Sequence, residues 1–346
     1  ATMEPTHSTG QDLSRRYYHE LVWPLIASRW PDLPHAAGRL GQGSDVLGLD
    51  DGMSRDHDWG LRLTLLVEPE MIMPVRDHLD AHLPDTFLGH PTRFAYSGAS
   101  EPIHHVDVWS PAGFAIDRLG IDPRDGLTTH DWLALTGQTV LEVTAGPIFT
   151  DTTGEISAIR QLLTWYPDDI WRYLVATAWV RLDEEMPLMS RAGFLGDDLG
   201  SRLIAARMVA VIVHLAFLIE RRWAPYSKWR GTLFGTLACA PKLRPQLESA
   251  LSNPTWEARQ EAICTALDLI LRVQRLAGLP ASEPATVPFW DRPFRLPNPE
   301  IEQAVLNSIV DPGVRNLPRG RGSIEQQTDN THLLYDWPTR RRLIGT

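Results

Sequence analysis

Three aspartates in the first third of the chain are the residues best suited to carry chemistry. Asp56 and Asp58 are separated by one residue, and Asp107 lies in a later segment. Apolar and polar residues alternate from Asp56 onward and again over 102–109, which predicts a strand in each place. Both members of the Asp-x-Asp pair should then point the same way, an arrangement that is costly without a cation. Because Mg²⁺ prefers oxygen ligands, the pattern predicts Asp56 and Asp58 as magnesium ligands.

The residues around this pair suit a bound phosphate. Gly43 and Ser44 precede the pair, with Ser44 twelve positions (56 − 44) ahead of Asp56. A glycine permits close approach of the backbone, and a serine offers a hydroxyl and an N–H at a turn. Asp107, on the second strand, would bind a second metal or take a proton from an acceptor. Together these residues predict a site for phosphoryl or nucleotidyl transfer, with two metals held between carboxylates and a triphosphate.

Arg62 is predicted to share the strand face of Asp56 and Asp58. Two interpretations of this arginine remain open at this point. It either forms a salt bridge with those carboxylates or reaches a phosphate.

Further candidates lie in the second half of the chain. In Tyr226-Ser227-Lys228-Trp229, the lysine suits a β- or γ-phosphate and the aromatic rings suit a base. The alternative is that Tyr226 packs in a core and Lys228 is solvated. Glu184 and Glu185 belong to an acidic run at the predicted end of a long helix, where they would bind a cationic acceptor or serve as a general base. A solvated charged surface is the alternative for that run.

The periodicity of apolar residues predicts the elements that must position these side chains. Apolar positions recur at helical spacing over 11–30 and 70–82, on either side of the predicted strand that begins at Asp56. Strand signals fade in the second half, where helical periodicity covers 155–185, 198–222 and 255–277. The expected fold class is α+β, with a small mixed sheet followed by an all-α helical bundle. The expected domains are a nucleotide-binding domain at 1–150, a helical domain at 151–280 and an extended, irregular region at 281–346 that packs on the helical domain.

Composition narrows the classes of partner. The chain has 346 residues, and 33 basic against 43 acidic side chains give a formal charge of −10. An acidic chain is a poor general binder of nucleic acid, so DNA and RNA are not expected as partners. The two cysteines, Cys239 and Cys264, form no C-x-x-C pair. Since no stretch approaches the length of a membrane span and no signal peptide is recognised, a cytoplasmic protein without a membrane partner is expected.

The aspartate pattern resembles the polymerase-β-type nucleotidyltransferase superfamily, whose signature is Gly-Gly or Gly-Ser, then Asp-x-Asp on a strand, then a third Asp. That superfamily includes the aminoglycoside and lincosamide nucleotidyltransferases, in which a helical domain follows the catalytic domain. The run Ser54–Gly60 is closer to an uncharacterised bacterial nucleotidyltransferase-like family. Further segments similar to that family are Ala224–Trp229, Phe289–Phe294 and the stretch from Asp311-Pro312 to Gln326-Gln327.

The resemblance implies fold and nucleotide chemistry without naming an acceptor. It implies metal-binding roles for Asp56 and Asp58, a matching role for Asp107 and a phosphate-binding role for Lys228. The expected reaction moves a nucleoside monophosphate, with ATP as the favoured donor, onto a hydroxyl or amine of a small-molecule acceptor. A protein acceptor remains open.

Two alternatives to that reaction also remain open. One is a non-catalytic nucleotide-binding or antitoxin-like interaction module. The other is a His-Asp metal-dependent phosphohydrolase that would use His57-Asp58 with His104, His105 and Asp107.

Overall fold

Residues 9–56 and 58–345 are described by a computed structural model, apart from the side chains of residues 55 and 56. The chain divides into two units by its internal contacts. The first unit runs up to Leu127 and includes Thr139–Thr164. The second consists of Thr128–Gln138 and the chain from Trp165 onward. The fold is mixed α and β, rich in helix and with small sheets.

The strands are short and most of them lie in the first unit. In chain order they are β1 (Ala36–Gly38), β2 (Arg62–Leu66), β3 (Thr86–Phe87), β4 (His90–Pro91), β5 (Arg93–Phe94), β6 (Ile103–Trp109), β7 (Ile148–Asp151), β8 (Thr286–Pro288) and β9 (Arg295–Pro297). Five of them form a sheet in the order β5-β6-β2-β1-β7. Strands β2 and β6 are parallel, and the other neighbours in this sheet are antiparallel.

Helices form the rest of the regular structure. They are α1 (Gly10–Tyr17), α2 (Trp23–Ala27), α3 (Ile72–His82), α4 (Pro111–Leu119), α5 (Thr129–Ala134), α6 (Gly137–Thr144), α7 (Glu155–Leu162), α8 (Asp168–Phe194), α9 (Asp198–Ile219), α10 (Ser227–Phe234), α11 (Ala240–Ser252), α12 (Trp256–Leu276), α13 (Pro299–Asn307), α14 (Pro312–Arg315), α15 (Ile324–Gln327), α16 (Thr331–Tyr335) and α17 (Trp337–Gly345). A π-helical turn, Tyr18–Val22, joins α1 to α2, so the helix predicted over 11–30 is present with a π-turn inside it.

The pairing of β2 with β6 positions the polar residues of the first unit. In the parallel register Arg62 lies beside His105, and Thr64 lies beside Asp107. Side chains alternate across a strand, so Leu63 and Leu65 point to the opposite face, where they belong to the hydrophobic core. That core also contains buried residues of α1 and α3. One face of the sheet is therefore closed by apolar packing, and the other presents Arg62, Thr64 and Asp107.

The second unit is held together by long helices. Helix α8 packs against α9 and α13, and α11 packs against α12. Trp171 and Trp179 are among the largest fully buried side chains, and the indole N–H of Trp179 donates to Gln274 Oε1 at 2.7 Å. Burial of large aromatic rings with a satisfied N–H is typical of a stable helical core.

The structure corrects several expectations about these elements. In the region 281–346, which was expected to be extended, β8 and β9 form an antiparallel pair. The helical region predicted over 155–185 consists of two helices, α7 and α8, and the segment 163–167 lies between them. The acidic run does not end a helix, because α8 continues to Phe194. The C-terminal region is not irregular, since α13 to α17 lie within it. Asn298 and Asp311 accept bonds from backbone N–H groups at the starts of α13 and α14, a local signal for helix starts.

One helix overturns the expectation that no segment approaches a membrane span. By length and composition, α9 could cross a membrane, with a mean hydropathy of 2.1 over its most apolar window. Half of that window (50%) is buried inside the second unit. A helix in a protein core meets the same criteria, so this is weak evidence for a membrane segment.

Candidate active site

A cavity of about 360 Å³ lies on the polar face of the sheet, wholly within the first unit. It brings together four of the predicted site residues, namely Gly43, Asp58, Arg62 and Asp107. The lining is completed by residues from the loop after β1, from β2 and β6, from the loop after β5, and from α4. These are Leu40, Gly41, Gln42, Thr64, Tyr96, Trp109, Phe114 and Arg118.

The loop after β1 is held by a buried ion pair. Arg39, only 1% exposed, contacts Asp45 through Nε–Oδ2 at 2.6 Å and Nη2–Oδ1 at 2.9 Å. The same guanidinium donates to the carbonyls of Leu40 and Gln42, at 2.6 and 2.7 Å. A two-point Arg–carboxylate contact fixes geometry as well as charge. The pair therefore fixes the shape of the glycine loop that forms one wall of the cavity.

Gly43 occupies a position that other residues would strain. Its φ is +135°, in the region that favours glycine. A Cβ at this position would lie 2.3 Å from Asp45 Oδ1 and 2.5 Å from Arg39 Nη2. The glycine is thus required both by the backbone and by the ion pair behind it.

Arg62 is a buried cation with an unsatisfied donor. It is 8% exposed, and its Nη1 donates to the carbonyl of Asp58 at 3.1 Å. Its Nε has no hydrogen-bond partner among the described residues. No ion pair is formed by Arg62 with any side chain that the structure describes. Of the two interpretations of Arg62, a salt bridge with Asp58 is therefore not formed, and the Asp56 carboxylate lies outside the described side chains. Burial and the nearby charge of Arg39 lower the pKa of the Arg62 guanidinium.

The two described aspartates reach the cavity from different kinds of structure. Asp107 lies on β6, as predicted, and its carboxylate makes no hydrogen bond or ion pair with the described residues. Asp58 is not on a strand, because β2 begins only at Arg62. Its φ is +59°, a left-handed conformation that aspartate tolerates, and its Oδ1 accepts the backbone N–H of Ser97 at 2.9 Å.

Asp56 is placed only in part. Its backbone ends a 3₁₀ turn, Met53–Asp56, so the prediction that Asp56 and Asp58 alternate along one strand is wrong. The chain turns at Asp58 and again at Gly60, whose φ is +154°, before the strand starts. The Asp56 side chain and the whole of His57 lie outside the described residues.

Asp58 and Asp107 fit a magnesium ion by the chemistry of their donors. Both supply carboxylate oxygens to one cavity, and neither carboxylate is neutralised by an ion pair with a described side chain. Mg²⁺ is bound in many phosphate sites by one or two carboxylates, with waters and phosphates completing the shell. Among the side chains that the structure describes, no group of three His, Cys, Asp or Glu is placed to hold a metal. Asp56 is the remaining candidate for a third carboxylate.

An aromatic and basic wall was not identified from the sequence. The Tyr96 ring lies under Arg62, with Cζ 5.4 Å from the ring centroid, and packs against His105 with the ring centroids 4.0 Å apart and the planes tilted by 53°. From α4, Arg118 adds a second cationic side chain and pairs with Glu142 at 3.3 Å. One feature of the sequence could have indicated Arg118. It is the only arginine in α4, a largely apolar helix that follows directly after β6.

The other predicted residues lie elsewhere. Ser44 does not line the cavity, and its hydroxyl donates to Ser54 Oγ at 3.3 Å. Tyr226 and Lys228 are in the second unit, where Lys228 is exposed and its Nζ lies 4.8 Å from the centroid of the Trp229 ring. Glu184 is an exposed residue of α8, and Glu185 is buried in ion pairs with Arg181 and Arg207.

The histidines of β6 serve the fold of the first unit. His104 Nε2 lies 3.4 Å from Asp80 Oδ1, and His105 Nε2 lies 2.8 Å from the carbonyl of Phe94. Neither histidine lines the cavity. Burial lowers the pKa of both rings. Among the residues described, these contacts therefore give no support to the metal site of a His-Asp phosphohydrolase.

Comparisons with known proteins give limited information. Residues 132–230 match the model of a family described as Domain of unknown function (DUF4037). The match covers 99 residues (230 − 132 + 1) of 346 and none of those that line the cavity. A crystal structure of a nucleotidyltransferase-like protein from Exiguobacterium sibiricum 255-15 is similar over 78% of each chain, with 12% identity and a TM-score of 0.33. A TM-score of this size assigns neither fold nor activity to this chain. No curated protein matches the chain.

Proposed function

We propose that the first unit is a Mg²⁺-dependent nucleotidyltransferase. It would move a nucleoside monophosphate from a triphosphate, with ATP favoured, to a hydroxyl or amine of a small-molecule acceptor. The observation that carries this proposal is the buried Arg62, whose Nε has no hydrogen-bond partner among the described residues and which lines the same cavity as Asp58 and Asp107. A buried guanidinium without an anion is unfavourable, so the site is prepared for an anion that arrives with the substrate.

The phosphates would lie between Arg62 and the glycine loop. Guanidinium groups bind phosphate through parallel N–H bonds, and the Nε–H of Arg62 has no partner among the described residues. The Gly43 backbone forms part of the cavity wall, and its missing side chain accommodates the Arg39–Asp45 pair behind it. Arg118, which is already paired with Glu142, adds positive charge to the same cavity. These groups lie in a partly buried site, where charge interactions are stronger than in water.

Asp58 and Asp107, with Asp56 as the third candidate, would hold the metal. When bound, Mg²⁺ would stabilise negative charge on the phosphate oxygens during an in-line displacement. The Asp58 carboxylate is oriented by the Ser97 N–H at Oδ1, which leaves Oδ2 for the cation. Asp107 is positioned by the β6 backbone next to Thr64 of β2. Positioning of this kind is the main demand of nucleotidyl transfer.

The reaction is a single displacement at the α-phosphorus. The acceptor oxygen or nitrogen forms a bond to that phosphorus, and the bond to the bridging oxygen of pyrophosphate breaks. A carboxylate without a hydrogen-bond partner among the described residues, as at Asp107, is the candidate to take the proton released by the acceptor. Pyrophosphate leaves with the electrons of the broken bond.

Aromatic side chains supply the surface on which a base would lie. Tyr96, Trp109 and Phe114 all line the cavity. Stacking on rings of this kind tolerates different bases, which is why the choice of ATP rests on the resemblance of the sequence rather than on a described contact. A small acceptor is favoured over a nucleic acid because the chain is acidic.

The test is transfer of label from α-phosphate-labelled ATP, in the presence of Mg²⁺, into a fractionated cell extract. Asp58→Asn and Asp107→Asn should each lower transfer by about 100-fold or more, since each removes a charged ligand or base. The matched control is Asp77→Asn, an exposed aspartate of α3 that does not line the cavity. It should retain wild-type transfer. Full activity in either cavity variant would refute the assignment of its carboxylate.

A second function is favoured by one observation. The described side chains contain no group of three metal-binding residues, so the cavity also suits a non-catalytic nucleotide-binding module. Such a module would bind ATP in an Arg62-dependent way and transfer no label to any fraction. An antitoxin-like role would belong to this outcome. Label in a protein fraction would instead identify a protein acceptor.

A further inference from the structure

A second cavity, of about 300 Å³, lies wholly within the second unit. Its volume is at the lower end of the range for small-molecule pockets, about 300–1,000 Å³. Helices α8, α9 and α10 each contribute an arginine to the lining, and these are Arg181, Arg207 and Arg230. The fourth side is the segment that contains α15, with Glu325 facing the cavity. None of these residues belongs to the proposed nucleotidyltransferase site.

The three arginines are only partly neutralised by their neighbours. Glu185 is shared by two of them, with Oε1 3.3 Å from Arg181 Nε and Oε2 in contact with Arg207 Nη2. Arg230 donates its Nε–H to the carbonyl of Pro225 at 3.1 Å. Its two terminal nitrogens make no hydrogen bond or ion pair within the described chain. Guanidinium groups from three helices thus face one cavity. A single carboxylate, that of Glu185, bridges two of these groups, Arg181 and Arg207.

Glu325 and His214 add an acceptor to this set of donors. His214 Nε2 lies 3.3 Å from Glu325 Oε1, and Gly137 N–H donates to Oε2 at 3.1 Å. Burial opposes ionisation of Glu325, but His214, the charge of Arg230 and the Gly137 N–H outweigh it and lower the pKa of the carboxyl. A carboxylate held in this way accepts hydrogen bonds and donates none. It suits a hydroxyl group on a ligand.

We infer that this cavity binds a small hydroxylated organic anion, whose phosphate or carboxylate group is held by Arg230 with Arg181 and Arg207. The terminal nitrogens of Arg230 form a planar fork that matches the oxygens of such a group. Glu325 accepts a hydrogen bond from a hydroxyl on the same molecule. The site is independent of nucleotidyl transfer.

Other classes of ligand fit less well. A cationic ligand would meet three guanidinium groups in the lining, against the carboxylate of Glu325, which is already paired with His214, and that of the exposed Asp329. An apolar ligand would cover the donors of Arg230 without replacing their bonds to water, which is unfavourable. An anion with a hydroxyl group satisfies both kinds of polar group in the lining.

The experiment is isothermal titration calorimetry on the full chain with potassium phosphate and, separately, potassium succinate, with ionic strength held constant by potassium chloride. Arg230→Gln removes the free fork, and Ala210→Leu fills the cavity without a change of charge, because Ala210 is part of its lining. The control is Arg272→Gln, an exposed arginine of α12 that does not line the cavity. Circular dichroism and thermal unfolding establish that each variant is folded.

Binding of phosphate by the wild type is expected, with affinity lowered about tenfold or more in Arg230→Gln and Ala210→Leu and unchanged in Arg272→Gln. The same pattern with succinate in place of phosphate supports the site and assigns a carboxylate ligand. Binding that persists in both Arg230→Gln and Ala210→Leu would show that the anion sits elsewhere, including the cavity of the first unit. That result, or no binding of either anion, would overturn the inference.

Discussion

Two buried arginines of the first unit should respond to the same substitution in different ways. Arg39 and Arg62 are 1% and 8% exposed, so both guanidinium groups are removed from water. Arg39 is paired with Asp45 through two contacts, whereas Arg62 forms no ion pair with a described side chain. Replacement of either residue by methionine removes the charge and keeps much of the side-chain volume. The pair of variants therefore separates a structural arginine from one that serves a ligand.

Arg39→Met should destabilise the first unit strongly. It would leave the Asp45 carboxylate, only 5% exposed, without its partner. Loss of one member of a buried ion pair typically costs about 3–5 kcal/mol. The glycine loop would also lose the bonds to the carbonyls of Leu40 and Gln42. The free energy of unfolding should fall by at least that amount.

Arg62→Met should change stability much less. The variant removes a buried donor without a partner, which relieves about 1–3 kcal/mol. It also loses the bond to the Asp58 carbonyl and the contact with the Tyr96 ring, together about 1–3 kcal/mol. These opposing contributions leave a net change within about 1 kcal/mol of zero. Affinity for ATP should nevertheless fall by about 10- to 100-fold, because charge-assisted bonds to phosphate are lost.

The assays are urea unfolding, with hydrogen exchange to locate the change in the first unit, and calorimetric titration of ATP with Mg²⁺. A loss of stability in Arg62→Met as large as that in Arg39→Met would refute the reasoning, since it would make Arg62 a structural residue. Unchanged ATP affinity in a folded Arg62→Met protein would equally contradict the proposed phosphate contact.

Two further outcomes follow from the first unit. Gly43→Ala should destabilise it by about 1–3 kcal/mol in urea unfolding, because of the positive φ and the clash with Asp45. Gly52→Ala, whose Cβ would meet nothing within 4 Å, is the control and should be close to neutral. Burial lowers the pKa values of His35 and His105 below 6.5, so the unfolded chain binds more protons near that pH. The free energy of unfolding should therefore fall as pH falls from about 7.5 to 5.5, with a weaker dependence in His105→Gln. An equal effect of both glycine variants, or a stability independent of pH, would contradict these expectations.

The periodicity of apolar residues predicted the helices and strands that bury one face along their whole length. Strand β6 and helices α3 and α12 appear within a residue or two of their expected bounds, and α9 begins at its expected residue and ends three residues early. Their apolar spacing is imposed by burial of one face or stripe, which a sequence displays directly. The same reasoning failed between Asp56 and Gly60. Alternation there accompanies a loop, because left-handed Asp58 and the following glycine redirect the backbone before β2 begins.

Four of the residues that the sequence suggested for their chemistry lie together in the structure. Gly43, Arg62 and Asp107 line one cavity with Asp58, as their chemical types suggested. Tyr96 and Arg118 could not be found in this way. Tyr96 follows the short strand β5. Its place in the site depends on contacts of its ring with Arg62 and His105, which belong to other strands. Contacts of this kind are set by tertiary structure and leave no periodic signal in the chain.

The parallel pairing of β2 with β6 also has a consequence for how the cavity forms during folding. Thr64 and Asp107 are neighbours in the sheet but lie 43 positions apart in the chain (107 − 64). A parallel pair cannot form through a tight hairpin, so the intervening chain must close a long loop before the two strands meet. The glycine loop with its Arg39–Asp45 pair is local and can form earlier. A chain that ends before β6 would therefore lack both Asp107 and the strand that pairs in parallel with β2, so the carboxylate site is completed only when β6 joins the sheet.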